Sequence, residues 1–149
     1  MRAVVQRVTA ARVEVAGEII GEVGKGLVVF VGIGKGDGDV EASYLVDKIV
    51  GLRVFEDDQG KMNRALGEVD GGLLIVSQFT LYGDVRRGRR PGFDDAMPPA
   101  EAETLYDRFV ALARGKHARV ATGRFRADMR VLVDNDGPVT IWMDSAKGA

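Results

Sequence analysis

No cysteine occurs among the 149 residues, so disulfides, thiolate metal sites and a cysteine nucleophile are all excluded. There is one histidine, His117, which excludes a multi-histidine metal site. Net charge is −1, so the chain lacks the positive coat that bulk nucleic-acid binding needs, and no DNA partner is expected. No apolar run approaches membrane-spanning length, and Met1 to Arg7 lack the apolar core of a signal peptide. These absences point to a soluble cytoplasmic protein with no membrane partner. Repeats, low-complexity tracts and linkers are also missing, and the length suits one domain over 1–149. What is plentiful is glycine, 20 residues, in a chain that is 46% hydrophobic. That combination predicts tight turns and close backbone approaches rather than disorder.

The apolar pattern predicts strands at Ala3 to Val8 and Val13 to Val15, where apolar and polar residues alternate. Ala16-Gly17-Glu18 reads as a hairpin turn into a return strand from Glu18 to Val23. Leu27 to Val31 is a continuous β-branched run, expected to be covered on both faces. The glycine-rich segment Gly32 to Asp39 invites a phosphate-loop reading, but Lys35 is followed by Gly36 rather than Ser or Thr, and Asp39 stands where a third glycine belongs. It is expected to be a flexible connection, and the residues needed to turn Asp37 and Asp39 into a calcium loop are missing. A helix is predicted from Val40 to Leu52, with Ala42, Leu45, Ile49 and Leu52 on one face. A short strand at Arg53 to Phe55 and a polar turn through Asp57 and Asp58 follow; that pair reads as a solvated turn rather than a metal site.

Leu73 to Val76 reads as a buried central strand. It ends in Ser77, Gln78, Phe79 and Thr80, at the kind of sheet rim where open α/β sheets place ligands. Arg86, Arg87, Arg89 and Arg90 surround Gly88 in a loop. They read either as a solvated loop or as a phosphate-binding patch, since guanidinium forks match phosphate oxygens. Pro98-Pro99 opens a second helix with Ala102, Leu105, Phe109 and Leu112 buried, expected to end at Gly115. Val120 to Thr122, Arg130 to Asp134 and Val139 to Met143 are the last strands. Gly137-Pro138 falls between the final two, which would otherwise pair as a hairpin. With no side chain on one residue and no N–H on the other, this corner offers bare carbonyls and a rigid ring.

The chemical inventory near Ser77 is hydroxyls, an amide and backbone N–H groups, suited to holding an oxyanion or a sugar hydroxyl. A Ser77–His117–carboxylate triad can be written down, but nothing in the sequence orients His117. The expected architecture is a single α/β domain, with mixed β-sheets forming a barrel-like core and two main helices packed outside.

Ser77-Gln78-Phe79-Thr80-Leu81 and Asn135-Asp136-Gly137-Pro138-Val139-Thr140 resemble the two signature motifs of the D-aminoacyl-tRNA deacylase family. The resemblance extends over nearly the whole chain, through Gln6-Arg7-Val8, Gly60-Lys61-Met62-Asn63 and Thr122 to Met129. Arg126 departs from it, standing where the family pattern has a small residue. The resemblance implies a homodimer, with its active site at the subunit interface, that hydrolyses the ester of D-aminoacyl-tRNA and of glycyl-tRNA mischarged on tRNA(Ala). It implies that Gly137-Pro138 is cis and enters the partner's pocket, where its carbonyls hold the substrate amine and its wall excludes L side chains. Arg7 would brace that corner, and Phe125 and Met129 would lie near the terminal adenosine or the corner. Ser77, Gln78, Phe79 and Thr80 would form the catalytic rim. Either Thr80 is the nucleophile, or the terminal 2′-hydroxyl assists water while N–H groups near Phe79 and Thr80 hold the oxyanion. The second is favoured, because Thr80 has no base beside it in sequence. No cofactor or metal is implied. Two rivals are a non-catalytic RNA-binding module using Arg86 to Arg90 and a small-molecule ester hydrolase on the same fold.

Overall fold

The computed structural model describes residues 1–147. Its organising strand is β1, Arg2–Val15, one continuous strand where the alternation predicts two. The alternation breaks because β1 serves two cores in succession. Ala3 and Val5 point to the layer beneath the helices, whereas Val8, Ala11 and Val13 point into the barrel. A register irregularity against β8 between Val8 and Ala10 accommodates the change of phase.

Ala16 and Gly17 both take positive φ (50° and 82°), the geometry that a two-residue hairpin turn demands. The turn leads into β2, Glu18–Val23, with the predicted bounds. β3, Gly26–Gly32, returns antiparallel to β1. The connection to α1, Asp39–Val50, is pinned rather than flexible. Asp37 Oδ2 takes the Gly34 N–H at 2.7 Å and pairs with the amino group of Met1 at 2.8 Å. Helix α1 stops at Gly51, so Leu52 lies outside it; Ala42, Leu45, Val46 and Ile49 are its buried face. The strand expected at Arg53 to Phe55 is displaced to β4, Phe55–Glu56, which pairs with β5, Met62–Arg64. Asp57, between them, is held by the Gln59 and Lys61 N–H groups, so it acts as a turn residue.

β6, Gly72–Ser77, lies parallel to β3. Helix α2, Pro99–Lys116, runs through Gly115 and is capped at His117, so it ends one residue later than the glycine suggests. β7, Val120–Thr122, has the predicted bounds and pairs parallel with β6. β8, Arg130–Asp144, runs antiparallel along β1.

The main sheet has the order β2-β1-β3-β6-β7, with β8 on the remaining edge of β1. It curls until β2 meets β7: a Cβ on Gly21 would fall 2.4 Å from the Thr122 carbonyl oxygen. The result is the expected α/β architecture, a nearly closed barrel with two helices outside. Alternate residues of β3 and β6 feed the two cores. Leu27, Val29, Val31, Leu73 and Ile75 face the helices, while Val28, Leu74 and Val76 fill the barrel. The expected burial of β3 on both faces follows from this. Among the described residues no helix is long and apolar enough to cross a membrane.

The parallel contact of β3 with β6 leaves no room where it begins. A Cβ on Gly26 would sit 1.9 Å from the Gly72 carbonyl oxygen. Because backbone on backbone cannot give way, Gly26→Ala is expected to cost about 3 kcal/mol or more. That is a fall in Tm of roughly 10 °C for a chain of this size, read by thermal denaturation.

Candidate active site

The rim forms where β6 runs out. Gln78 N–H still bonds the Val31 carbonyl at 2.8 Å, continuing the parallel ladder one residue past Ser77. The chain then turns into one 3₁₀ turn, Phe79–Tyr82. At the start of such a turn the leading N–H groups, those of Phe79 and Thr80, have no acceptor within it. The Gln78 side-chain amide donates to the Thr80 hydroxyl oxygen. An amide is no base in either orientation, so this contact positions Thr80 without activating it. Arg2 holds the far end of the turn. Its Nη1 donates to the Leu81 carbonyl at 2.9 Å, and its guanidinium lies 4.4 Å over the Tyr82 ring. Burial, and then the negative charge of Asp37, push the Tyr82 hydroxyl well above its ordinary pKa, so it stays protonated.

Beside the rim lies a cavity of about 700 Å³. Ser77, Gln78, Phe79, Phe93, Phe125 and Met129 are among the residues that line it. Phe79 is 56% exposed and packs edge-on against Phe93 at 5.0 Å. Phe125 leans on Tyr106, whose hydroxyl donates to the Ile75 carbonyl at 3.2 Å.

Gly137-Pro138 lies elsewhere, and it is not a hairpin turn. Both halves of β8 pair with β1 rather than with each other. Asn135 faces Val8 and Thr140 faces Gln6, so residues 136–139 bulge outward opposite the single residue Arg7. The Gly137–Pro138 peptide is cis, Gly137 has φ +115°, and both residues are exposed. Asn135 laces the base of the bulge. Its Nδ2 donates to the carbonyls of Arg7 and Val139, each at 3.0 Å, and its Oδ1 accepts from Thr140 at 3.2 Å. Arg7, only 8% exposed, donates from Nη1 to the Val54 carbonyl at 2.7 Å. Asp136 Oδ2 stands 3.2 Å from Arg7 Nε, near enough for charge pairing but off the N–H line, so Nε is left without a hydrogen bond.

Rim and corner do not meet within one chain. Ser77 aligns with Val31 and hence with Ala3, whereas Arg7 aligns with Leu27. Four residues along the strands and, since the corner lies on β8 beyond β1, three strand spacings across the sheet separate them, roughly 20 Å measured over the sheet. The structure therefore gathers Ser77, Gln78, Phe79, Thr80, Phe125 and Met129 in one group, and Arg7, Gly137 and Pro138 in another.

Residues 4–144 match the family model described as D-Tyr-tRNA(Tyr) deacylase. The chain belongs to this family. A curated D-aminoacyl-tRNA deacylase of Sorangium cellulosum is 63% identical over 99% of both chains, and one of Thermotoga petrophila is 54% identical over the same shares. A solved structure named c-Myc DNA Unwinding Element Binding Protein superposes with a TM-score of 0.93 at 43% identity, covering 97% of this chain and 98% of that one. A probable eukaryotic D-amino acid tRNA deacylase, at 19% identity and TM-score 0.82 over 95% and 97% of the two chains, shares the fold.

Other predicted groups find different settings. His117 Nε2 contacts the Gly71 carbonyl at 2.7 Å, at the entry of β6, while Ser77 is at its exit. That places the two about a strand length apart and removes the triad. Among the arginines, Arg86 is occupied: its Nε and Nη2 donate to the two Asp84 carboxylate oxygens at 2.9 and 2.7 Å. These bonds, with the Arg86 N–H, hold the Asp84 carboxyl down to about 2. Arg87, Arg89 and Arg90 are exposed and form no ion pair among the described residues. Paired backbone bonds between Asp84 and Gly92 close the neck of their loop, directly before Phe93 of the cavity wall. Among the described residues no cluster of His, Asp and Glu could hold a metal.

Sequence reasoning missed Asn135 as the lace, Phe93 as the partner of Phe79, and Arg2 as the anchor. An Asn just before a turn is a legible signal; the other two depend on contacts distant in sequence. Asn135→Ala would strip donors from the Arg7 and Val139 carbonyls. A loss of about 1–3 kcal/mol is expected, read from the urea midpoint at unchanged slope.

Proposed function

We propose that the chain is a D-aminoacyl-tRNA deacylase, a carboxylic ester hydrolase acting as a cytoplasmic homodimer over a single domain, 1–149. The carrying observation is the separation of rim and corner. Each half is built in detail, yet one chain cannot bring them together, so a second copy has to supply the corner to the first copy's rim. The family match over residues 4–144 supports the substrate class.

In this reading the terminal adenosine of aminoacyl-tRNA enters the cavity beside Phe125 and Met129, and the ester carbonyl rests at Phe79 and Thr80. Water, assisted by the adenosine 2′-hydroxyl, adds to the carbonyl carbon. Negative charge gathers on the carbonyl oxygen, and the Phe79 and Thr80 N–H groups stabilise it because they are fixed before the charge develops. The carbon–oxygen bond to the ribose 3′-position then breaks, the ribose oxygen takes a proton, and the free amino acid leaves. No side-chain nucleophile is needed, since positioning a labile ester supplies much of the acceleration. No cofactor takes part.

The Gly137-Pro138 corner of the partner is the chiral filter. Its carbonyls hold the α-amino group, and its backbone fills the space an L side chain would require. Glycine has no side chain to exclude, so glycyl-tRNA mischarged on tRNA(Ala) is also cleaved. Such a filter works by repelling the wrong substrate and does not need tight binding of the right one. Arg87, Arg89 and Arg90 contact tRNA phosphates; Arg86, spent on Asp84, contributes less.

Purified protein is expected to release D-tyrosine from D-tyrosyl-tRNA and to leave L-tyrosyl-tRNA intact, followed by release of labelled amino acid. Equal rates on the two enantiomers would rule out the filter. Salt-sensitive tRNA binding without ester cleavage would favour an RNA-binding module instead. Thr80→Ala is expected to keep turnover within about tenfold; complete loss with intact substrate binding would make Thr80 the nucleophile.

A further inference from the structure

Two cations on the cavity have no role in anything described so far. Lys35, in the connection between β3 and α1, and Arg126, in the loop before β8, both line it. Both are exposed, and neither forms an ion pair among the described residues. The backbone at each is fixed. Lys35 N–H donates to the Asp95 carbonyl at 2.9 Å, tying its loop to the segment that precedes α2. Arg126 is held at φ +65°, a left-handed conformation that a residue with a side chain seldom adopts, in a turn closed by Ala127 N–H on the Arg124 carbonyl at 3.2 Å. Asp94 is the other charged residue lining the cavity, so the charges there sum to one positive. Met97, Phe125 and Met129, half-buried where the two cations are exposed, offer an apolar surface suited to a flat ring.

We propose that Lys35 and Arg126 together grip the phosphodiester on the 5′ side of the terminal adenosine. This rests on the deacylase reading and adds to it a reason for choosing an RNA end over a free aminoacyl nucleoside. An ester at Ser77 to Thr80 and a base against the apolar lining leave the ribose 5′-oxygen directed outward, to the solvent side of the cavity, where its two exposed cations, Lys35 and Arg126, are the groups that can meet it. A guanidinium fork and a mobile ammonium are complementary ways to hold one phosphate.

The test is titration of the full-length chain, at low salt, with adenosine and with the dinucleotide CpA, which differ by the phosphodiester and its cytidine. The unaltered protein is expected to bind CpA about tenfold more tightly. Lys35→Gln and Arg126→Gly should each lose part of that preference, and the double variant should bind CpA no better than adenosine. Arg126→Gly keeps the fold testable, because glycine is at ease at this φ. Absence of CpA binding, equal binding of both ligands, or a preference that survives in the double variant overturns the proposal. D-tyrosyl-tRNA turnover is measured alongside. Turnover without a CpA preference defeats the phosphate grip alone. A preference abolished in the double variant, in a protein without turnover, upholds the grip and defeats the deacylase reading.

Discussion

Arg7 is the point on which strand geometry and the proposed filter both depend. A guanidinium this far out of water persists only if it is paired, and removing its partners would cost more than the pairing contributes. Its partners are the Val54 carbonyl, beyond the end of α1, and Asp136, within the bulge of β8. The same residue's backbone carbonyl receives Asn135. One position on β1 thereby fixes where β8 leaves the ladder, how four residues fit opposite one, and which way the corner faces. Asp136 is about half exposed, so water screens its share, and the bond to Val54 is the stronger hold.

The rim obeys a different constraint. Gln78 continues the β3–β6 ladder, the next two N–H groups are released by the 3₁₀ turn, and Arg2 fastens the turn to β1 and, through Asp144 at 3.3 Å, to β8. Fixed backbone dipoles at the end of a buried parallel strand, beside an apolar cavity, suit chemistry that stabilises charge rather than chemistry that transfers protons through side chains. An amide rather than a base as the side-chain partner of Thr80, and the distance to His117, agree with that division of labour.

Much of this was legible before the coordinates. β2 and β7 have their predicted bounds because sharp turn signals flank short apolar runs. β3 and β6 read correctly because burial on both faces leaves an unbroken apolar string. β1 did not read as one strand, since passing between two cores interrupts the alternation around Thr9 and Ala10. Residues 135–140 read as the link of a hairpin because periodicity cannot tell two strands paired with each other from two halves paired with a third. Gly115 misled because a glycine tolerated inside a helix looks like one that ends it. Arg86 differs from its neighbours in having a partner, Asp84, two residues away; charge counting overlooks pairs that neutralise locally. Distance between the two motifs was beyond sequence altogether, and it is the fact that carries the functional reading.

The central claim is that the corner of one chain completes the rim of another, and subunit mixing tests it most directly. One chain would carry Gly137→Val, which spoils its corner by placing a side chain against Arg7 and Val139. The other would carry Ser77→Trp, which plugs its cavity. Each alone should be inactive on D-tyrosyl-tRNA, and unfolding and refolding them together should restore D-selective hydrolysis, because a mixed dimer holds one open rim facing one intact corner. Mixed dimers that form and remain inactive would contradict the account.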